Sequence, residues 1–147
     1  MKVFLDTNVL ASAAATRGLC ADILREVFAS HDLFISDQVL AELRRVFKLK
    51  FRMTQDLLDD FMWLLAQDSI VVQPAKLPRI ELKDRDDLAI LGAAISAGAE
   101  VLVTGDKELI ELSRMGNLEV LSPRQFWEKL KAQRPRGSRG TDPRRSR

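Results

Sequence analysis

The chain has 147 residues, 46% hydrophobic and 30% charged, with seven Gly and five Pro, which suits one globular domain and excludes disordered, collagen-like and disulfide-stapled classes. Its single cysteine, Cys20, cannot form an internal disulfide, so folding rests on a core, a reducing compartment is permitted, and Cys20 reads as a small buried hydrophobe. The net charge of +2 is uneven: residues 133–147 hold six Arg and one Asp, so the other 132 residues, with 17 basic against 20 acidic groups, carry −3.

Residues 2–5 (KVFL) are an apolar run of the buried-strand type, and similar runs recur at 33–35, 69–72, 101–103 and 118–121. Five strands are expected. Between them, apolar residues repeat every three or four positions over 19–30, 37–49 and 55–65, and helices are also expected over 86–97, 107–115 and 123–131. Ser36, Asp84, Asp106 and Ser122 stand where helix N-caps belong, while Gly98 and Gly116-Asn117 read as helix C-caps. Strand and helix alternate throughout, which implies a single three-layer α/β domain over residues 1–132 with a mostly parallel central sheet. Residues 133–147 have no apolar side chain to dock and are expected to be a disordered basic tail, with weak attraction to nucleic acid.

The longest uncharged run, 88–99, has 12 residues, too few to cross a bilayer, and fits a buried helix. Lys2 and Asp6 enclose only three apolar residues, which leaves no space for a signal peptide, so a cytoplasmic protein is expected.

Exclusions narrow the chemistry. His31, the sole histidine, follows a helical pattern and reads as a cationic ring near a helix C-terminus. A Ser-His-Asp triad or Cys-His pair would have to run through that one residue, with neither G-x-S-x-G nor an activated cysteine motif beside it; a His- and Cys-rich zinc site is excluded, no glycine-rich phosphate loop is present, and tyrosine is absent.

Carboxylates remain. Asp6 ends the first strand and Asp106 follows the fourth in VLVTGD, and in an open parallel sheet ligands bind beyond the carboxyl ends of strands. Glu42 lies at the edge of an apolar helix face, where a carboxylate needs a partner. Asp84, Asp86 and Asp87 open the apolar helix after 84; capping accounts for one or two of them, and spacing does not say which. Several carboxylates in one crevice repel one another unless a cation sits among them, and a hard divalent ion such as Mg2+ or Mn2+ suits an all-oxygen donor set. Phosphodiester hydrolysis is the natural reaction for such a site.

The segments KVFLDTNVL, SDQVLAELRRVF, KDRDDLAILGAAISAGAEVLVTGDKEL and LEVLSPRQFWEKL, in order over residues 1–130, resemble a PIN domain of the bacterial group assigned as toxins of toxin–antitoxin pairs. The resemblance implies a metal-dependent ribonuclease with strand order 3-2-1-4-5. It also implies Asp6, Glu42, Asp87 and Asp106 as catalytic acids and Mg2+ or Mn2+ ligands, with Thr7, Asn8 and Thr104 orienting carboxylates or water. RNA, a cognate antitoxin and a second copy of the chain are the partners it implies. In the basic run of Arg44, Arg45, Lys48, Lys50 and Arg52, the first three are candidates for RNA phosphate contacts.

Two other readings compete. A phosphatase with an aspartyl nucleophile wants a second Asp two residues on, where this chain has Asn8. A catalytically silent module binding RNA or protein would not require all four acids.

Overall fold

The computed structural model describes residues 1–51, 53–73 and 76–133; Arg52, residues 74–75 and residues 134–147, and with the last of these most of the basic tail, lie outside the described residues. Strand β1 (Lys2–Leu5) is followed by helices α1 (Thr7–Ala15) and α2 (Leu19–Ser30), then β2 (Asp32–Ser36) and α3 (Asp37–Val46), which runs into a π-helical turn at Phe47–Phe51. Next come α4 (Gln55–Asp68), β3 (Ser69–Val72), α5 (Arg85–Ser96), β4 (Val101–Val103), α6 (Lys107–Ile110), β5 (Arg114–Met115), β6 (Leu118–Leu121) and α7 (Pro123–Gln133). Helices cover both faces of one sheet ordered β3-β2-β1-β4-β6-β5. All five expected strands are present in the expected order, with β6 in fifth place. They pair in parallel, and β5 is added antiparallel at the edge beyond β6.

Burial explains the sheet's centre. Val3, Phe4 and Leu5 of β1 and Val101, Leu102 and Val103 of β4 are all buried, as the continuous apolar runs demand of parallel strands covered on both sides. Phe47, at the start of the π-helical turn, is buried and meets Phe61 edge-on, with ring centroids 5.6 Å apart. Among the described residues no helix is long and apolar enough to cross a membrane.

Caps fix the element ends. Ser36 Oγ accepts from Val39 N at 3.2 Å. At α7 the Ser122 hydroxyl accepts from Gln125 N at 3.1 Å while the Gln125 side chain accepts from Ser122 N at 2.9 Å, a reciprocal capping box ahead of Pro123 in the first turn. Gly98 ends α5 in the left-handed region (φ 71°): its amide donates to Ile95 O and that of Ala99 to Ala94 O, both at 3.0 Å, the Schellman pattern.

Three local expectations need correction. Helix α1 lies outside the expected helices, because TNVLASAAA has no amphipathic period; alanine's helix propensity, the Asp6 cap and burial of Val9, Leu10 and Ala11 together form it. The helix expected over 107–115 stops at Ile110, since Ser113 adopts a left-handed φ of 60° and Arg114-Met115 turn back against β6. Gly116 is consequently no helix C-cap; at φ 60° it opens the two-residue turn of the β5–β6 hairpin.

Outside the sheet's crevice, His31 also departs from expectation. Its Nδ1 lies 3.0 Å from the Met1 ammonium, and burial together with that charge holds the imidazole below its ordinary pKa, so it acts as an acceptor and not as a cation. Cys20 is half-buried against the core, and burial raises its thiol pKa.

Candidate active site

Strand order reverses between β1 and β4: the chain goes outward through β2 and β3 on one side, then returns to place β4 and β6 on the other. A crevice at the carboxyl ends of β1 and β4 follows from that switch. Asp6 and Thr104 are the residues immediately after those strands. Asp6 N donates to Val103 O and Thr104 N to Leu121 O, each at 3.0 Å, so the sheet ladder itself positions both.

The Asp6 carboxylate is buried. Its Oδ1 accepts from Thr7 N and its Oδ2 from the Thr104 hydroxyl, both at 2.7 Å. Burial raises its pKa; the bonds from Thr104 and Thr7 oppose that rise, and the charges of Glu42 and Asp106 add to it. Thr104 Oγ1 also accepts from Asp106 N at 3.1 Å, so one hydroxyl ties the two strand-borne acids together. Asp106 in turn caps α6, its Oδ1 accepting from Glu108 N at 2.8 Å and Leu109 N at 3.2 Å. Capping and site membership therefore coexist in Asp106.

The other two acids are borne by helices α3 and α5. Glu42 on α3 accepts from the Thr7 hydroxyl at Oε2 and from Gln38 Nε2 at Oε1, both at 3.1 Å. Asp84 is the N-cap of α5, accepting from Asp86 N at 2.8 Å; the Asp86 side chain is exposed, and Asp87 is the buried acid of the three. Burial, then the charges of Asp106, Asp84 and Asp6 and a side-chain hydrogen bond with Asp106, push the Asp87 carboxyl up to about 7.

Asp6, Glu42, Asp87 and Asp106 thus share one electrostatic neighbourhood. Among the described residues none of them forms an ion pair with Lys, Arg or His, the ion pairs lying at Asp22, Glu119 and Glu128 instead. The oxygen-only donors and the uncompensated charge suit a hard divalent cation. Within the described residues, however, no three His, Cys, Asp or Glu side chains stand close enough to enclose an ion. Asp6, Glu42 and Asp106 are held instead by hydroxyl, amide or backbone donors, and Asp87 by a side-chain hydrogen bond with Asp106.

Of the polar positions singled out in the sequence, Thr7 and Thr104 contact the acids, whereas Asn8 is exposed on the first turn of α1 and hydrogen-bonds none of them. Arg44, Arg45 and Lys48 are exposed on α3 and its π-helical extension. Arg45 lines a cavity of about 250 Å3 together with Gln38, Ala41, Glu42 and Asp86. Gln38 was not anticipated, although its place four residues before Glu42 on one helix was a readable signal.

A family model for the PIN domain matches residues 2–108, a span containing all four acids. The chain belongs to the PIN-domain family. Solved structures similar to this PIN domain include VapBC2 from Rickettsia felis bound to a promoter DNA fragment (20% identity, 83% of this chain and 98% of that one, TM-score 0.59). PAE2754 from Pyrobaculum aerophilum is similar at 18% identity over 90% and 91% of the two chains (TM-score 0.65). VapBC-1 from nontypeable Haemophilus influenzae is similar at 21% identity over 84% and 99% (TM-score 0.59). No curated protein matches the chain.

Proposed function

We infer that this PIN domain is a metal-dependent endoribonuclease that hydrolyses RNA phosphodiester bonds and serves as the toxin of a toxin–antitoxin pair. One observation supports the reading: Asp6 after β1, Glu42 on α3, Asp87 on α5 and Asp106 in the β4–α6 turn share one electrostatic neighbourhood near the sheet's switch point, with no cation of the protein paired to any of them among the described residues. Asp6, Glu42, Asp87 and Asp106 would hold Mg2+ or Mn2+. When bound, such an ion supplies a more acidic water and charge stabilisation at a phosphoryl centre.

The chain's own groups do the rest. Thr104 fixes Asp6 and the Asp106 backbone in one frame, and Thr7 and Gln38 fix both oxygens of Glu42. Asp87, near 7, exchanges its proton at neutral pH and ionises fully when positive charge arrives beside it. Arg44, Arg45 and Lys48 meet the RNA backbone beside Glu42. Similarity to two VapBC structures supports an antitoxin partner, and the exposed Leu57, Trp63 and Leu64 of α4 provide apolar surface for it or for a second copy.

The test is cleavage of an RNA panel by the purified protein with Mg2+ or Mn2+. Cleavage abolished by EDTA and by Asp106→Asn is expected; undiminished cleavage in excess EDTA would refute the metal mechanism. A silent RNA- or protein-binding module is the second reading, favoured by the lack of a three-carboxylate enclosure among the described residues. RNA binding without cleavage under every divalent ion would select it.

A further inference from the structure

Glu42 and Asp87 sit on different helices, α3 and α5, and no strand ladder fixes their separation as it does for Asp6 and Asp106. One side chain spans the gap. Gln38 Nε2 donates to Glu42 Oε1 at 3.1 Å and to the backbone carbonyl of Asp86, the residue before Asp87, at 3.2 Å. A carboxamide nitrogen carries two hydrogens, and here each has its own acceptor. Glutamate in that place would offer no donor, asparagine would be one methylene short, and alanine would leave the Asp86 carbonyl without this link.

We propose that Gln38 is a positioning residue, whose amide fixes the Glu42 carboxylate to the first turn of α5 and so sets the spacing between the two helix-borne acids. The proposal rests on the metal-nuclease reading and extends it to a residue outside the four acids. With Thr7 on its other oxygen, Glu42 is then held from both sides, by α1 through a hydroxyl and by α5 through Gln38. Outer partners of ligating carboxylates affect affinity for the ion and turnover, not affinity for a remote part of the substrate.

The experiment compares the parent with Gln38→Ala, Glu42→Ala and the double variant in three measurements. The first is Mn2+ binding, followed by the thermal shift it causes. The second is steady-state cleavage of a short RNA, and the third is Tm without metal. For Gln38→Ala, kcat and Mn2+ affinity should each fall about 10- to 100-fold, with KM unchanged within about threefold. Adding Gln38→Ala to Glu42→Ala should cause no further loss of Mn2+ affinity, because the amide acts through Glu42. Without metal, the Tm loss of the double variant should fall short of the summed single losses by about 2 °C or more. Parental kcat and Mn2+ affinity in Gln38→Ala would overturn the proposal, as would a loss confined to KM. If the parent itself neither binds Mn2+ nor cleaves RNA, the nuclease reading fails. The metal-free cycle then still decides the bridge, additive Tm losses refuting it and non-additive ones supporting it.

Discussion

Asp87→Asn should make the metal-free protein more stable and the enzyme inactive. The Asp87 carboxyl is raised from 3.8 to about 7, chiefly by burial and then by Asp106, Asp84 and Asp6. A raised acid binds its proton more tightly in the folded state, so stability is lost as pH climbs from the unfolded value near 4 to the folded value near 7. Three units at about 1.4 kcal/mol each set a ceiling of roughly 4 kcal/mol, and solvent screening with relaxation of the crevice reduces the expected gain to about 1–3 kcal/mol. Asparagine keeps the shape and never ionises. In a domain of this size the gain corresponds to roughly 3–10 °C in Tm at pH 7.5. The assay is a pair of thermal melts, parent and variant in EDTA, repeated between pH 4 and 8. The two Tm values should converge toward pH 4 and separate toward pH 7.5, while added Mn2+ should stabilise the parent more than the variant. An Asp87→Asn variant no more stable than the parent at pH 7.5, or one with the same advantage at pH 4.5 and 7.5, would refute the electrostatic account.

Thr104→Val removes the buried hydroxyl shared by Asp6 and Asp106 N; urea titration should show a loss of about 1–3 kcal/mol and RNA cleavage should fall about 10- to 100-fold, with Thr104→Ser retaining most of both. Gly98→Ala meets no atom within 4 Å but places a side chain at φ 71°, so Tm should drop about 2–4 °C with cleavage per folded molecule unchanged. Deleting residues 133–147 should leave Tm nearly unchanged and weaken RNA binding, more at low salt than at high, in an anisotropy titration; a large drop in Tm would mean that the segment packs on the domain.

What was legible in the sequence followed hydrophobic pattern and strand ends. The five parallel strands are short continuous apolar runs, and their positions carry Asp6 and Asp106 to one crevice once the alternation with helices is recognised. Helix-borne acids were harder. Asp84, Asp86 and Asp87 are indistinguishable by spacing; the family resemblance points to Asp87, and the structure buries Asp87 while Asp84 caps and Asp86 faces solvent. Helix α1 escaped notice because ASAAA gives no periodic contrast, and the β5–β6 hairpin because Ser113, a residue with a Cβ, takes the left-handed conformation that sequence rules reserve for glycine. The Gln38 bridge joins residues 48 apart in sequence, a contact that local pattern does not contain.

The choice of anchors explains how the cluster can be ordered and still charged. Arginine or lysine beside these acids would hold them more strongly, but it would also cancel the field that draws a divalent ion, and an incoming ion would have to displace it. Hydroxyls of Thr7 and Thr104, the Gln38 amide and the backbone N–H groups of Thr7, Glu108 and Leu109 fix Asp6, Glu42 and Asp106 through neutral donors instead, and Asp87 shares a hydrogen bond with Asp106. The charge stays uncompensated, and its cost falls on Asp6 and Asp87, the two buried members whose pKa values are raised. At Asp6 the cost is tolerable because this acid directly follows β1, whose side chains from Val3 to Leu5, like those from Val101 to Val103 on the adjacent β4, lie in the fully buried centre of the sheet. An architecture that sets a buried acid such as Asp6 directly at the end of one of its best-packed strands resists local opening there and keeps the crevice in shape.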